Sequence, residues 1–289
     1  MKDGPKIAGT VSVILVSFHS GSVMWRALDA LGAQPELREI LLVDNGNPPA
    51  VRAELDRRAA AGRIRLLRSE RNRGFAAACN LAAAAAQGEL LLFLNPDAIM
   101  PPEGLGRMAA AMAGRSRPWI AGARLVGADG AERRGGRRGE LTPWAALGDA
   151  LGTGRFNRHR EPLPPGPTEL PTISGACLLI PAADFRALGG FDEGYFLHVE
   201  DIDLCRRLRA AGGKVWFLPE IAVEHEGGSS DAPARTVERH KRASFRHYFR
   251  RHYGRRLDAM IVMALVTMRY WLRAPFLWYA DHRRHGAKP

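Results

Sequence analysis

The chain has 289 residues, 46% of them hydrophobic, which is enough for one large α/β domain or a domain with an appendage. A formal charge of +12 calls for an anionic partner: a nucleotide, a nucleic acid or a membrane surface. Only three cysteines occur, Cys79, Cys177 and Cys205, far apart and without CxxC spacing, which argues against a disulfide scaffold or a thiolate zinc site. In chain order, Val11 to Phe18 reads as a buried strand and Ser22 to Gly32 as a helix. Ile40 to Val43 is a second strand, Ala50 to Ala61 a helix, Ile64 to Leu67 a strand, and Phe75 to Gln87 an alanine-rich helix. Leu90 to Leu94 is a continuous apolar run, as in a strand covered on both faces of a parallel sheet. Strict alternation of strand and helix predicts βαβ units and a mostly parallel, Rossmann-like sheet.

The second half is less regular. Gly127 to Gly139 places glycines and arginines around a hairpin, and Gly152 to Pro171 has the proline content of a loop. Ile173 to Ile180 reads as one strand, and Lys214 to Leu218 and Ile221 to Val223 as two short ones. Two helices, Thr236 to Tyr253 and Arg256 to Tyr279, finish the chain. The expected division is residues 1–232 as the main domain, in halves 1–115 and 116–232, and 233–289 as a basic helical extension.

Candidate chemistry gathers where strands end. Ser17, Asp44 and Asp97 each follow an apolar run, and parallel strands present their carboxyl ends at one edge, where open α/β sheets bind ligands. Asp44 suits a nucleobase N–H or a ribose hydroxyl, or else an Asx turn in DNGN. Proline in Asn95-Pro96-Asp97 stops the ladder, so Asp97 is either a turn residue or an acid able to hold a divalent cation. The stretch Arg71-Asn72-Arg73-Gly74-Phe75 opens a helix with two cations, a glycine and free backbone N–H groups, a combination suited to a phosphate or a nucleotide. There is no GxGxxG or Walker A motif. In FDEGYFLHVEDIDLCRRLRAAG, Asp201 shares a helical stripe with Leu204, Leu208 and Ala211, as a capping acid or as a general base. His225, before a glycine turn, is a structural histidine or a ligand beside Asp97.

The series SVILVSFHSG, LLVDNGN, RNRGFAAACN, LLFLNPDA, SGACLLIP, GGFDEGYFLHVEDIDLCRRLRAAG and AVEHEGGSS, from Val11 to about Ser230, resembles the family 2 glycosyltransferases. The match is to the bacterial rhamnosyltransferase-like branch that builds cell-surface polysaccharides. The resemblance implies a GT-A fold, a sugar-nucleotide donor, a divalent cation (Mg²⁺ or Mn²⁺) and inversion at the anomeric carbon. It assigns Asp201 as general base, Asp97 and His225 to the metal, and Asp44 to the nucleobase or ribose. Asn95 stands where the family's metal motif carries its first acid. Ser17, Asp44, Arg73, Gly74, Asn95 and Asp97 are then expected on the donor side, and Gly175, Glu200, Asp203 and Arg207 on the acceptor side or behind the base. The resemblance further implies dTDP-rhamnose as donor and a lipid-linked or polymeric glycan as acceptor.

The tail Leu257 to His285 is apolar and aromatic but broken by Arg269, Arg273 and Pro275, too short in its uncharged runs to span a bilayer. Ile261, Val262, Leu265, Met268 and Leu272 form a helical stripe, and Arg235 to Arg256 holds nine Lys/Arg against one Glu. Together they predict peripheral attachment to an anionic membrane, with a homodimer or a domain-packing helix as the alternative. The opening MKDGPKIAGT carries no apolar stretch of the secretory kind, so the expected location is the cytoplasm, at the inner face of the membrane. The rival readings are a silent nucleotide-binding scaffold and a nucleic-acid-binding protein, the latter without any recognisable RNA- or DNA-binding motif.

Overall fold

The computed structural model describes residues 10–152, 156–227, 233–254 and 256–268. Strands β1 (Val11–Ser17), β2 (Leu37–Asp44), β3 (Arg65–Arg68) and β4 (Leu90–Leu94) are joined by helices α1 (Val23–Leu31), α2 (Pro49–Ala60) and α3 (Phe75–Ala85). They lie in the order β3-β2-β1-β4, all parallel. Every residue of β1 and β4 is buried, because alternate side chains feed two different cores. Val13 and Leu15 pack with Met24 of α1 and Leu55 of α2. Ile14 and Val16 pack on the other face with the alanines of α3.

Beyond β4 the chain forms β5 (Ala98–Ile99), α4 (Gly104–Met112), β6 (Trp119–Val126), β7 (Arg137–Arg138), α5 (Pro143–Ala150), β8 (Thr168–Glu169), β9 (Thr172–Ile173) and β10 (Cys177–Pro181). Then come α6 (Ala182–Ala187), α7 (Glu200–Ala210), β11 (Lys214–His225) and α8 (Ala234–Tyr253), followed by a helix over 257–268, α9. The sheet here is mixed: β10 runs antiparallel between β4 and β6, and β11 lies parallel to β6. One continuous sheet, ordered β3-β2-β1-β4-β10-β6-β11-β5, therefore joins the first strand to the last.

Four expectations are corrected. The single strand over Ile173 to Ile180 is broken in two, β9 pairing with β7 in a small second sheet and β10 entering the main one. Ser174-Gly175-Ala176 makes the step between them. The two short strands near the end of the domain are one strand, β11, whose register shifts between Leu218 and Ala222. Pro219 lies inside the shift, and proline has no N–H to give the ladder, so the strand bulges rather than stops. The stripe on α7 holds at Asp201, Leu204 and Leu208, but Ala211 is exposed past the last turn. The stripe on α9 splits: Val262 is fully buried with Ala259 against Tyr248 and Phe249 of α8, while Ile261, Leu265 and Met268 are exposed beside Leu257 and Met260. Leu272 lies outside the described residues.

The helices α4, α5 and α6 and the strands β5 and β6 lacked a periodic signal strong enough to read. Thr142 caps α5, its Oγ1 accepting from Ala145 N at 3.1 Å, with Pro143 in the first turn. The proline-rich stretch contributes β8, which pairs with β11. No described helix is long and apolar enough to cross a membrane.

Candidate active site

The sheet brings Ser17, Asp44, Asn95, Gly175 and His225 to one edge. Ser17 pairs with Asp44 across β1 and β2, and Asn95 follows β4. Because β10 is antiparallel to β4, its start meets the end of β4, and Asn95 N donates to Ala176 O at 3.0 Å. His225 ends β11 and pairs with Ala98 of β5, which sets Asp97 beside it.

Asp44 is fully buried. Its Oδ1 accepts from Gly46 N (3.2 Å), Asn47 N (2.9 Å) and Asn47 Nδ2 (2.9 Å), which is the Asx turn that DNGN favours. Oδ2 lies 3.0 Å from Arg52 Nε without hydrogen-bond alignment, so it keeps acceptor capacity for a ligand N–H. Burial works against ionisation, but the Asn47 and Gly46 hydrogen bonds and Arg52 outweigh it and hold the carboxyl below its usual range. Ser17 Oγ donates to Asn47 Oδ1 at 3.1 Å, so Ser17 supports this turn. Asn45 and Asn72, unmarked in the sequence, bind each other at 2.9 Å, and Arg73 N donates to Asn45 Oδ1 at 3.0 Å.

The expected free N–H groups at the start of α3 are corrected. Gly74 N donates to Asn72 Oδ1 (2.9 Å) and Phe75 N to Phe196 O (2.8 Å). Gly74 has φ +84°, and a Cβ there would come within 2.5 Å of Phe196 O. Glycine is required because the 191–199 segment presses on the backbone. The Arg73 side chain is exposed.

Asp97 is 4% exposed, and its Oδ2 accepts from Gly227 N at 3.1 Å. His225 Nε2 lies 3.3 Å from Asp97 Oδ1 and 3.2 Å from Asn95 Nδ2. One carboxylate and one imidazole nitrogen at contact distance form a donor pair suited to a divalent cation that keeps water or phosphate oxygens as its other ligands. Among the described residues, no group of three or more His, Cys, Asp or Glu is placed to share a metal.

Asp201 sits in the first turn of α7, after His198 (φ +66°) and Val199 (φ +77°). Two consecutive left-handed non-glycine residues are strained, and such strain gathers at functional segments. The carboxylate is fixed on both oxygens. Oδ2 accepts from Gly175 N (2.8 Å) and Arg138 Nη2 (2.9 Å), and Oδ1 from Ile202 N (2.8 Å). A carboxylate offers about four lone-pair sites, so one remains for an incoming hydroxyl. Arg138 comes from β7, which the β7–β9 pairing carries to this point.

Glu200 is buried and its Oε2 has no partner. Burial, and then the charge of Asp201, raise its carboxyl to about 8. Asp203, fully buried, accepts from Tyr195 OH (3.2 Å) and Arg207 Nε (2.6 Å), with His252 Nε2 of α8 at 2.7 Å. Arg207 also donates to the carbonyls of Leu188 (2.7 Å) and Gly190 (2.8 Å). These two residues tie α7 to α8 and to the preceding loop. All three cysteines are free and buried, and burial pushes Cys177 and Cys205 up to about 12.

A sequence model described as Glycosyl transferase family 2 matches residues 12–185. The chain is 26% identical to an N-acetylglucosaminyl-diphospho-decaprenol L-rhamnosyltransferase of Mycobacterium tuberculosis, over 92% of this chain and 87% of that protein. It is 24% identical to rhamnosyltransferase WbbL of Escherichia coli K12, over 83% of this chain and 93% of that one. GalNAc-T7, solved with UDP, GalNAc and Mn2+, superposes with a TM-score of 0.61 at 20% identity, over 81% of this chain and 47% of that chain. The mannosyltransferase PcManGT of Pyrobaculum calidifontis, solved with GDP-Man and Mn2+, gives 0.60 at 16% identity, over 94% and 76%. The mixed sheet flanked by helices is the GT-A fold of those structures. With its acids gathered at one edge of that sheet and a family match running from β1 into α6, the chain belongs to glycosyl transferase family 2.

Proposed function

We propose that this glycosyltransferase is an inverting rhamnosyltransferase, with dTDP-rhamnose as donor and a hydroxyl of a lipid-linked glycan as acceptor, working at the inner face of the cell membrane. The observation that carries the reading is Asp201, fixed by Gly175 and Arg138 at the sheet edge that also holds Asp44 and Asp97. The choice of sugar is supported by the similarity to the rhamnosyltransferases of Mycobacterium tuberculosis and Escherichia coli, and the choice of a lipid-linked acceptor by the diphospho-decaprenol acceptor of the former.

In a single displacement the acceptor oxygen bonds to the anomeric carbon while the bond from that carbon to the diphosphate oxygen breaks. The diphosphate leaves with the electron pair, and Asp201 takes the hydroxyl proton. A positioned base of this kind contributes ~10² to 10⁴ in rate. Arg138 and Gly175 N hold Asp201 in one orientation, so its remaining lone pair stays aimed. Asp44 Oδ2, which makes no hydrogen bond within the fold, would accept from the pyrimidine or ribose. Asp97 and His225 would hold a divalent cation, which supplies neutralising charge for the departing diphosphate.

The test is nucleotide release and sugar transfer from a panel of sugar nucleotides, with Mg²⁺ or Mn²⁺ and a prenyl-diphosphate-linked saccharide as acceptor. dTDP-rhamnose should give the fastest transfer with inverted stereochemistry. Faster turnover of a UDP- or GDP-sugar would remove rhamnose from the proposal, and no turnover of any donor would leave a nucleotide-binding scaffold.

A further inference from the structure

Helices α5, α8 and α9 enclose a cavity of about 260 Å³ that no step of the transfer uses. Its α8 wall is built from Glu238, Lys241, Arg242, Phe245 and Arg246, which recur at helical spacing on one face. Phe245, Met263 and Val266 supply apolar surface. Arg134 and Asp149 line it too but satisfy each other at 2.6 Å. Lys241 and Arg246 are exposed and make no ion pair among the described residues. At the far end a shallow depression lined by Arg246, Met263, Ala264, Thr267 and Met268 continues the cavity onto the exposed apolar stripe of α9. An apolar surface therefore adjoins two exposed cations in one groove.

We propose that this groove binds the junction between diphosphate and hydrocarbon in a lipid-linked acceptor, with Lys241 and Arg246 on the diphosphate and Phe245, Met263 and Val266 along the first isoprenoid units. The inference rests on the lipid-linked acceptor of the proposed function and deepens it. The chemistry of the walls selects the ligand: ammonium and guanidinium groups attract phosphate, and the adjoining apolar wall favours a chain over an ion alone. A free diphosphate would leave that wall unused, and a simple hydrocarbon would leave the cations unused.

The experiment is titration of farnesyl diphosphate, below its micellar range, into protein saturated with dTDP and Mg²⁺ so that the donor site is filled. Wild type should bind it at least tenfold more tightly than either inorganic diphosphate or farnesol. The double variant Lys241→Ala/Arg246→Ala should bind at least tenfold more weakly, and so should Thr267→Trp, which narrows the groove at its mouth. Both should keep wild-type dTDP affinity, which shows that they are folded. Absence of binding to wild type, equal binding of inorganic diphosphate or of farnesol, or unchanged binding by both variants would overturn the proposal. It would also fall if the double variant lost only its affinity for anionic vesicles while still binding farnesyl diphosphate. A wild type that binds farnesyl diphosphate but not dTDP would sink the donor reading and leave the groove standing.

Discussion

Asp201 and Glu200 are neighbours in sequence with opposite surroundings. Asp201 accepts three hydrogen bonds, whereas Glu200 has an oxygen buried without a partner. Asp201→Asn keeps the shape and loses the proposed proton acceptor, so transfer should fall by at least ~10²-fold while dTDP affinity, read by titration, stays at wild type. Glu200 carries a folded-state pKa raised from 4.5 to about 8, so the folded chain keeps a proton that the unfolded chain releases. Its contribution to stability is therefore complete below about pH 4.5 and is lost as the pH rises toward 8. Glu200→Gln mimics the protonated form, so its melting temperature should exceed that of wild type at pH 8 and match it at pH 5. A gap that is the same at both pH values would contradict the assignment. The acids were legible in the sequence because each breaks an apolar run or opens a helix. Arg138 was not: it is one of several arginines in a glycine-rich stretch, and only the β7–β9 pairing selects it.

At the scale of elements, the parallel half was readable from period alone, because βαβ units repeat one pattern. The mixed half was not, since β9 and β10 run on in sequence and divide between two sheets at Gly175. The same step points Gly175 N at Asp201, so the feature that hid the strand boundary also helps build the site. α8 is bound to α7 through Asp203, which joins Tyr195, Arg207 and His252, and through Arg206, which donates to Tyr248 OH at 3.2 Å and Tyr253 OH at 3.0 Å. Burial opposes ionisation of Asp203, but His252 and Arg207 prevail and keep the carboxyl below its ordinary range. The stability it contributes is complete above that range and drains away as the pH falls through its lowered value. Asp203→Ala strands the Arg207 guanidinium and leaves the His252 ring without its partner at the helix contact, and should cost about 3–5 kcal/mol, measured by denaturant unfolding at pH 7. A loss below about 1 kcal/mol would show that the network is not what holds α8 in place.

For the whole molecule, the surface left over after folding is informative. α9 spends Ala259 and Val262 on the core that also contains Val199 and Ile202, which flank Asp201's turn. Removing the tail would open that core, so it cannot separate attachment from folding. Point charges on the outer face can. Leu257, Met260, Ile261, Leu265 and Met268 are exposed on one helix beside the basic surface of α8. Ile261→Glu/Leu265→Glu should abolish sedimentation with anionic vesicles, and high salt should partly release the wild type, since only the electrostatic share is screened. The melting temperature should stay at the wild-type value. If the variant changes sedimentation-equilibrium mass instead, and wild type ignores vesicles, the stripe is a contact between two copies.

The β5–β11 pairing has a consequence in time. Asn95 and His225 meet although 130 residues separate them, and Asp97 meets Gly227 over the same span. Asp44 and its turn are complete by Asn47, early in synthesis, whereas the Asp97–His225 pair waits for the last described strand, β11, to leave the ribosome. On the proposed roles, a chain truncated before β11 would keep the Asp44 turn and lack the Asp97–His225 pair.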